Sequence, residues 1–168
     1  MAEDEGRFGR VSIPRRAWAP PGVRPRAPRQ IVREDTYVSA AVAPAEGKMT
    51  ALVLPTANTA MMPLFLEHVS RTSADYFIIM QVDRAGWHGT KALVVPENIR
   101  LIPQPAYSPE LNPVEHVWED LRETQLPNLV LPTLDDVVER VCTGLQHLEA
   151  DPERLRSMTY FPHFRPAA

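Results

Sequence analysis

Apolar residues recur along this chain at two periods, first in short alternating or continuous runs and later at helical spacing. Ala2–Phe8 predicts a short first strand, with Val11–Trp18 as its hairpin partner. Thr36–Ala43 is rich enough in β-branched and small residues for a strand, and Lys48–Leu54 is another, stopped by Pro55. Met62, Phe65, Leu66 and Val69 lie on one face of a helix over Thr59–Ser70. Tyr76–Val82 (YFIIMQV) is a nearly unbroken apolar run, the pattern of a strand buried on both faces, and Ile99–Ile102 reads as a shorter parallel strand. Val114, Val117, Trp118 and Leu121 then mark a helix over Asn112–Gln125. Leu134, Val137, Val138, Val141, Leu145 and Leu148 mark a second over Leu134–Leu148, and Asp151–Met158 adds a last short one. Strands that first meander and then alternate with helices predict an α/β chain.

Composition narrows this picture in three places. The chain has 168 residues, 44% hydrophobic and 23% charged, which fits one globular domain with a real core. Its 18 prolines cluster in Pro14–Pro28 and Pro103–Pro113, marking two stiff loops. A single Cys142 excludes an internal disulfide, and no apolar run reaches membrane-spanning length, so a cytoplasmic protein without membrane association is expected. Cys142 itself reads as a small buried hydrophobe.

The net charge of −3 hides an asymmetry. Residues 1–33 carry eight of the 18 basic residues and three of the 21 acids, for +5; the remainder stands at −8. This arginine- and proline-rich stretch, a loop or hairpin insertion over residues 9–35, is a candidate phosphate-contacting surface through Arg10, Arg15, Arg16 and Arg24. It reads equally as a solvated loop whose arginines pair with the acidic remainder. The acidic bulk predicts weak DNA binding by the chain alone.

The most informative segment is Tyr107–Trp118, YSPELNPVEHVW, a proline-stiffened loop running into a helix. Asn112 suits the N-cap and Pro113 the first helical position. At 100° per residue Glu115 falls at the edge of the apolar face, on the side shared with Arg122, so it borders the buried surface. The plain reading is a capping box in which Glu115 reaches back to the cap backbone. Asp83 follows YFIIMQV directly, at the carboxyl end of a strand, where α/β sheets place ligands but where turns also favour Asp. Asp4 stands between Glu3 and Glu5, and alternation points it away from both, leaving those two to reach solvent.

Taken together, SPELNPVEHVW, VDRAGWH (Val82–His88) and EDEGRFG (Glu3–Gly9) resemble the three carboxylate motifs of the DDE transposases, in the insertion-sequence branch related to mariner elements. RRAWAPPGVRP (Arg15–Pro25) and LPTANTAMMPLFLEHVS (Leu54–Ser70) are similar to family segments between them. The resemblance implies a ribonuclease H-like fold, a mixed central sheet with helices on both faces, and one catalytic domain over residues 1–168 with a helical tail from 133 to 168. It implies that Asp4, Asp83 and Glu115 are both the catalytic acids and the metal ligands. Three carboxylates with little histidine or cysteine nearby specify Mg²⁺ or Mn²⁺. Two such ions would drive DNA cleavage and strand transfer at insertion-sequence ends, with Asp4 shared, Asp83 completing one ion and Glu115 the other. Arg84 and His88, beside the second acid, join the arginines as candidate DNA contacts, although a surface position is the ordinary expectation for His88.

Two departures stand out. The family places helix-turn-helix segments and the start of the first strand ahead of the first acid, so a truncated first strand, weak non-specific DNA binding and a separately encoded helix-turn-helix subunit are expected, with a homodimer also allowed. Arg84 stands where the family commonly has Asn. Besides the transposase reading, an inactive remnant or repurposed binding module and an unrelated ribonuclease H-like nuclease are the alternatives. The site of action would be the nucleoid.

Overall fold

The computed structural model describes residues 1–90 and 93–162. Five strands, β1 (Ala2–Val11), β2 (Ile31–Ala43), β3 (Lys48–Leu54), β4 (Ile78–Val82) and β5 (Ile99–Pro103), form one mixed sheet in the order β3-β2-β1-β4-β5. The first three pair antiparallel, from Ala2 opposite Val42 and from Val42 opposite Met49, and β4 and β5 pair in parallel, Ile78 opposite Ile99. The two halves meet where Ala2 pairs with Gln81, so β1 is the central strand. Helix α1 (Met62–Thr72) packs Met62, Phe65, Leu66 and Val69 against Ile78, Met80 and Val82 on one sheet face. Helices α2 (Val114–Thr124), α3 (Leu134–Glu149) and α4 (Pro152–Thr159) cover the other face, over Val38, Ala40 and Val42.

Several sequence expectations change here. The first strand, expected over Ala2–Phe8, continues to Val11, and the Met1 amino group donates to the Ile79 carbonyl at 2.8 Å. Its partner is β2 and not Val11–Trp18: Val11 ends β1, opposite Ile31, and residues 12–30 form a loop without strand pairing. The arginine- and proline-rich segment is therefore the long connection of a β1–β2 hairpin. Ser12 and Gln30 close it, the Ser12 N–H donating to the Gln30 carbonyl at 2.9 Å, and Asn128 clasps Arg15 through both backbone groups.

Strand β4 is not buried on both faces. Ile79 is 56% exposed, because α2–α4 lie over β1–β3 and leave this side of β4 and β5 open. Cys142 is only partly buried. Among the described residues no helix is long and apolar enough to cross a membrane.

Candidate active site

Topology brings the three predicted acids together. Asp4 lies on the central strand, and Asp83 follows the last residue of β4. Advancing both strands two residues from the Ala2–Gln81 pair sets Asp4 level with Asp83. Glu115 comes over them in the first turn of α2, whose Val114, Val117, Trp118 and Leu121 are buried against the sheet. The preceding loop is tied down at both ends. The Gln104 N–H donates to the Val82 carbonyl at 2.8 Å, and the Gln81 amide donates to Gln104 Oε1 at 2.9 Å and to the Leu111 carbonyl at 3.2 Å. Asn112 Nδ2 donates to the Glu3 carbonyl at 3.2 Å, fixing the start of α2 above β1.

The cap of α2 is Pro113 and not Asn112, although Asn112 Oδ1 still accepts the Val114 N–H at 3.1 Å. The capping-box reading of Glu115 fails, because the Asn112 N–H that it would need donates to the Pro109 carbonyl at 2.9 Å. Glu115 is thereby left to border a cleft of about 440 Å³ lined also by Asp4, Asp83, Arg84, Gln104, Tyr107 and Asn112. Tyr107 stands fully exposed at its rim with φ of 57°, a left-handed conformation uncommon outside glycine.

Asp4 sits in a strongly perturbing environment. Burial raises its pKa from the ordinary 3.8 to about 7, and the charges of Glu115 and Glu5 push in the same direction. The Trp118 indole N–H, which donates to Asp4 Oδ2 at 2.8 Å, opposes that rise. Trp118 was legible only as a core residue; its bond to the first acid follows from Asp4 and α2 sharing a sheet face. Gly6 makes that approach possible, since a Cβ there would meet the indole ring at 2.7 Å.

Alternation does turn Asp4 away from Glu3 and Glu5, but these two do not reach solvent. β1 is central, so Glu3 is 0% exposed and the Glu5 side chain only 8%. Against them lies His88, itself buried at 8% exposure and so not a surface DNA contact as expected from the sequence. The turn after β4 folds it inward: Asp83 Oδ1 accepts the Ala85 N–H at 2.7 Å, and the His88 N–H donates to the Ala85 carbonyl at 3.0 Å. His88 Nδ1 then lies 2.7 Å from Asp83 Oδ1, and Nε2 lies 3.2 Å from Glu5 Oε1. Burial alone would lower the His88 pKa; the hydrogen bond and charge of Glu5, with Asp83, raise it on balance.

The candidate DNA-contacting arginines divide. Arg10 is half-buried, its guanidinium bonded to Glu34 and to the carbonyls of Leu131 and Pro132. Arg16 and Arg24 are exposed on the hairpin loop. Arg15 borders a second depression along α2 that also contains Glu115, Glu119 and Arg122. Arg84 lines the cleft, its Nε donating to the Gln104 carbonyl at 3.0 Å.

The family profile described as DDE superfamily endonuclease matches residues 2–137. The chain belongs to the DDE superfamily of endonucleases. Among curated relatives of this DDE protein, the uncharacterized protein y4pE/y4sA of Sinorhizobium fredii (strain NBRC 101917 / NGR234) is 39% identical over 123 residues, 73% of this chain and 91% of the relative. The fold matches the crystal structure of the Mos1 strand transfer complex with a TM-score of 0.60 at 18% identity, over 95% of this chain and 54% of that one. It also matches the catalytic domain of Mos1 mariner transposase, with a TM-score of 0.54 at 14% identity, over 95% of this chain and 82% of that domain. The DDE chain thus spans about half the length of the full Mos1 chains and has the ribonuclease H-like fold of their catalytic domain.

Proposed function

We propose that this chain is the catalytic domain of an insertion-sequence transposase that cleaves DNA and joins the freed ends to a target. The observation that carries the reading is the convergence of Asp4, Asp83 and Glu115 on one cleft from positions far apart in sequence. The acids fit Mg²⁺ or Mn²⁺: all three offer hard oxygen donors, and the raised pKa of Asp4 marks negative charge held close in a poorly solvated place. Asp4 would be shared between two ions, with Asp83 completing one and Glu115 the other. Bound there, such ions supply Lewis acidity to the attacking water or 3′-hydroxyl and to the leaving oxygen.

The chain's own residues arrange the rest. Trp118 holds the Asp4 carboxylate in place, the Gln81–Gln104 clasp fixes the loop that leads into α2 and Glu115, and Arg84 with Arg15 borders the path that a phosphate backbone would follow. The exposed Arg16 and Arg24 extend that path along the hairpin loop. DNA is the partner. Recognition of specific ends falls to a helix-turn-helix unit outside residues 1–168, and a homodimer would hold two ends together. Action on the nucleoid, in the cytoplasm, follows.

Nicking of supercoiled plasmid tests this without requiring end recognition. Nicking is expected with Mg²⁺ or Mn²⁺, to stop with EDTA, and to be lost in Asp83→Asn and Glu115→Gln. Folded wild-type protein that nicks nothing with either ion would overturn the reading and leave a binding module. Nicking that survives both substitutions would place the chemistry elsewhere.

A further inference from the structure

Behind the cleft, on the opposite face of β1, the side chains of Glu3, Glu5 and His88 converge so that one ligand atom from each lies within 4.8 Å of the others. We infer that these three residues form a separate site for a borderline transition cation of the Zn²⁺ type, which fixes Asp83 through His88. The site itself does not depend on the proposed transposase function; only its consequence for Asp83 rests on that reading.

The first argument is a buried carboxyl group without a hydrogen bond. Glu3 is fully buried and neither carboxyl oxygen has a hydrogen-bond partner. A carboxylate left so in the interior is costly, and buried charges are normally paired or bound to metal. Geometry supplies the second. His88 Nε2 lies 3.5 Å from Glu3 Oε2 and 3.2 Å from Glu5 Oε1. Metal–ligand bonds of about 2.0–2.1 Å in a tetrahedron separate neighbouring ligand atoms by about 3.3 Å. The observed spacings bracket that edge length.

Histidine chemistry supplies the third. His88 Nδ1 is hydrogen-bonded to the Asp83 backbone carbonyl at 3.2 Å and lies 2.7 Å from Asp83 Oδ1; with the N–H at Nδ1, the Nε2 lone pair faces two carboxylates. A proton on Nε2 gives one donor for two carboxyl groups. A divalent cation meets the imidazole and both carboxylates at once, and two negative charges balance it. One nitrogen with two oxygens suits Zn²⁺ or Co²⁺ better than Mg²⁺. The surroundings complete the arrangement: the Trp87 indole N–H donates to Glu5 Oε1 at 2.8 Å, and the backbone carbonyl and carboxylate of Asp83 face His88 Nδ1 as the outer oxygens that orient a metal-bound imidazole. The cation would therefore hold His88, and His88 the second acid of the cleft.

Untagged full-length chain, equilibrated with Zn²⁺ in excess Mg²⁺ and then desalted, is assayed for retained zinc, and Co²⁺ is loaded in parallel for its visible spectrum. Wild type and Glu115→Gln should each retain one zinc per chain and give an intense, low-coordinate Co²⁺ band. Glu3→Gln and His88→Gln, checked for folding by circular dichroism, should lose both. No retained zinc in wild type overturns the inference, as does zinc that follows Glu115→Gln while Glu3→Gln keeps it. If both reverse-face variants fail to fold, the wild-type Co²⁺ spectrum decides: a weak octahedral band with no paramagnetically shifted histidine ring resonance overturns the site. Zinc retention by a chain that nicks no DNA would reject the transposase reading alone.

Discussion

Replacing Trp118 by Phe separates packing from electrostatics at the first acid. Trp118 is 1% exposed, meets Phe8 edge-on at 5.7 Å, and donates its indole N–H to Asp4 Oδ2 at 2.8 Å. Phe keeps an aromatic ring in the core but removes the donor. Hydrogen bonds to charged groups contribute about 1.5–3 kcal/mol. Since a pKa unit corresponds to about 1.4 kcal/mol, the Asp4 pKa, already about 7, should rise by roughly one to two pH units in Trp118→Phe. The assay is carboxyl titration by NMR on metal-free, ¹³C-aspartate-labelled protein. In the nicking assay the acidic limb should move to higher pH, because protonated Asp4 cannot act as a ligand. Phe8→Leu is the control: it disturbs the same packing, lowers stability, and should leave the Asp4 midpoint little changed. An Asp4 midpoint that is unchanged or lower in Trp118→Phe would refute the reasoning.

Other outcomes follow from the same geometry. Mg²⁺ or Mn²⁺ should raise the melting temperature by binding the folded state, and Asp83→Asn should largely abolish that shift; equal shifts would mean that the ions bind elsewhere. Gly6→Ala drives a methyl into Trp118 and Phe8 and should cost about 1–3 kcal/mol in denaturant unfolding. Asp4, Glu3 and His88 all have raised pKa values in the fold, so between the ordinary carboxyl range and about pH 7 or above the folded state holds protons that the unfolded chain has released. Stability of the metal-free protein should therefore fall as pH rises through that window, and flat or rising stability by chemical denaturation would contradict it.

Much of the fold was legible because local pattern and tertiary demand agree. Lys48–Leu54 and the buried face of α2 match the sequence reading, since turn residues bracket the strand and the helical period is clean. The outer half of β2 was not legible. Ile31–Asp35 is largely exposed and has no core face, and it is held by pairing to β1 and by the Arg7–Asp35 and Arg10–Glu34 ion pairs across the hairpin. The placement of Asp83 and Glu115 was readable from a strand end and a helix start. The burial of Glu3, Glu5 and His88 was not, because it depends on β1 being central, a fact of topology. Three adjacent acids look like a solvated edge until the order β2-β1-β4 is known.

The most direct measurement is anomalous diffraction from crystals of the chain grown with Mn²⁺. The account predicts manganese density between the carboxylates of Asp4, Asp83 and Glu115, and its loss in Asp83→Asn crystals. Manganese found only outside that cleft, with the three carboxylates unliganded, would contradict the claim that they form a metal-dependent active site.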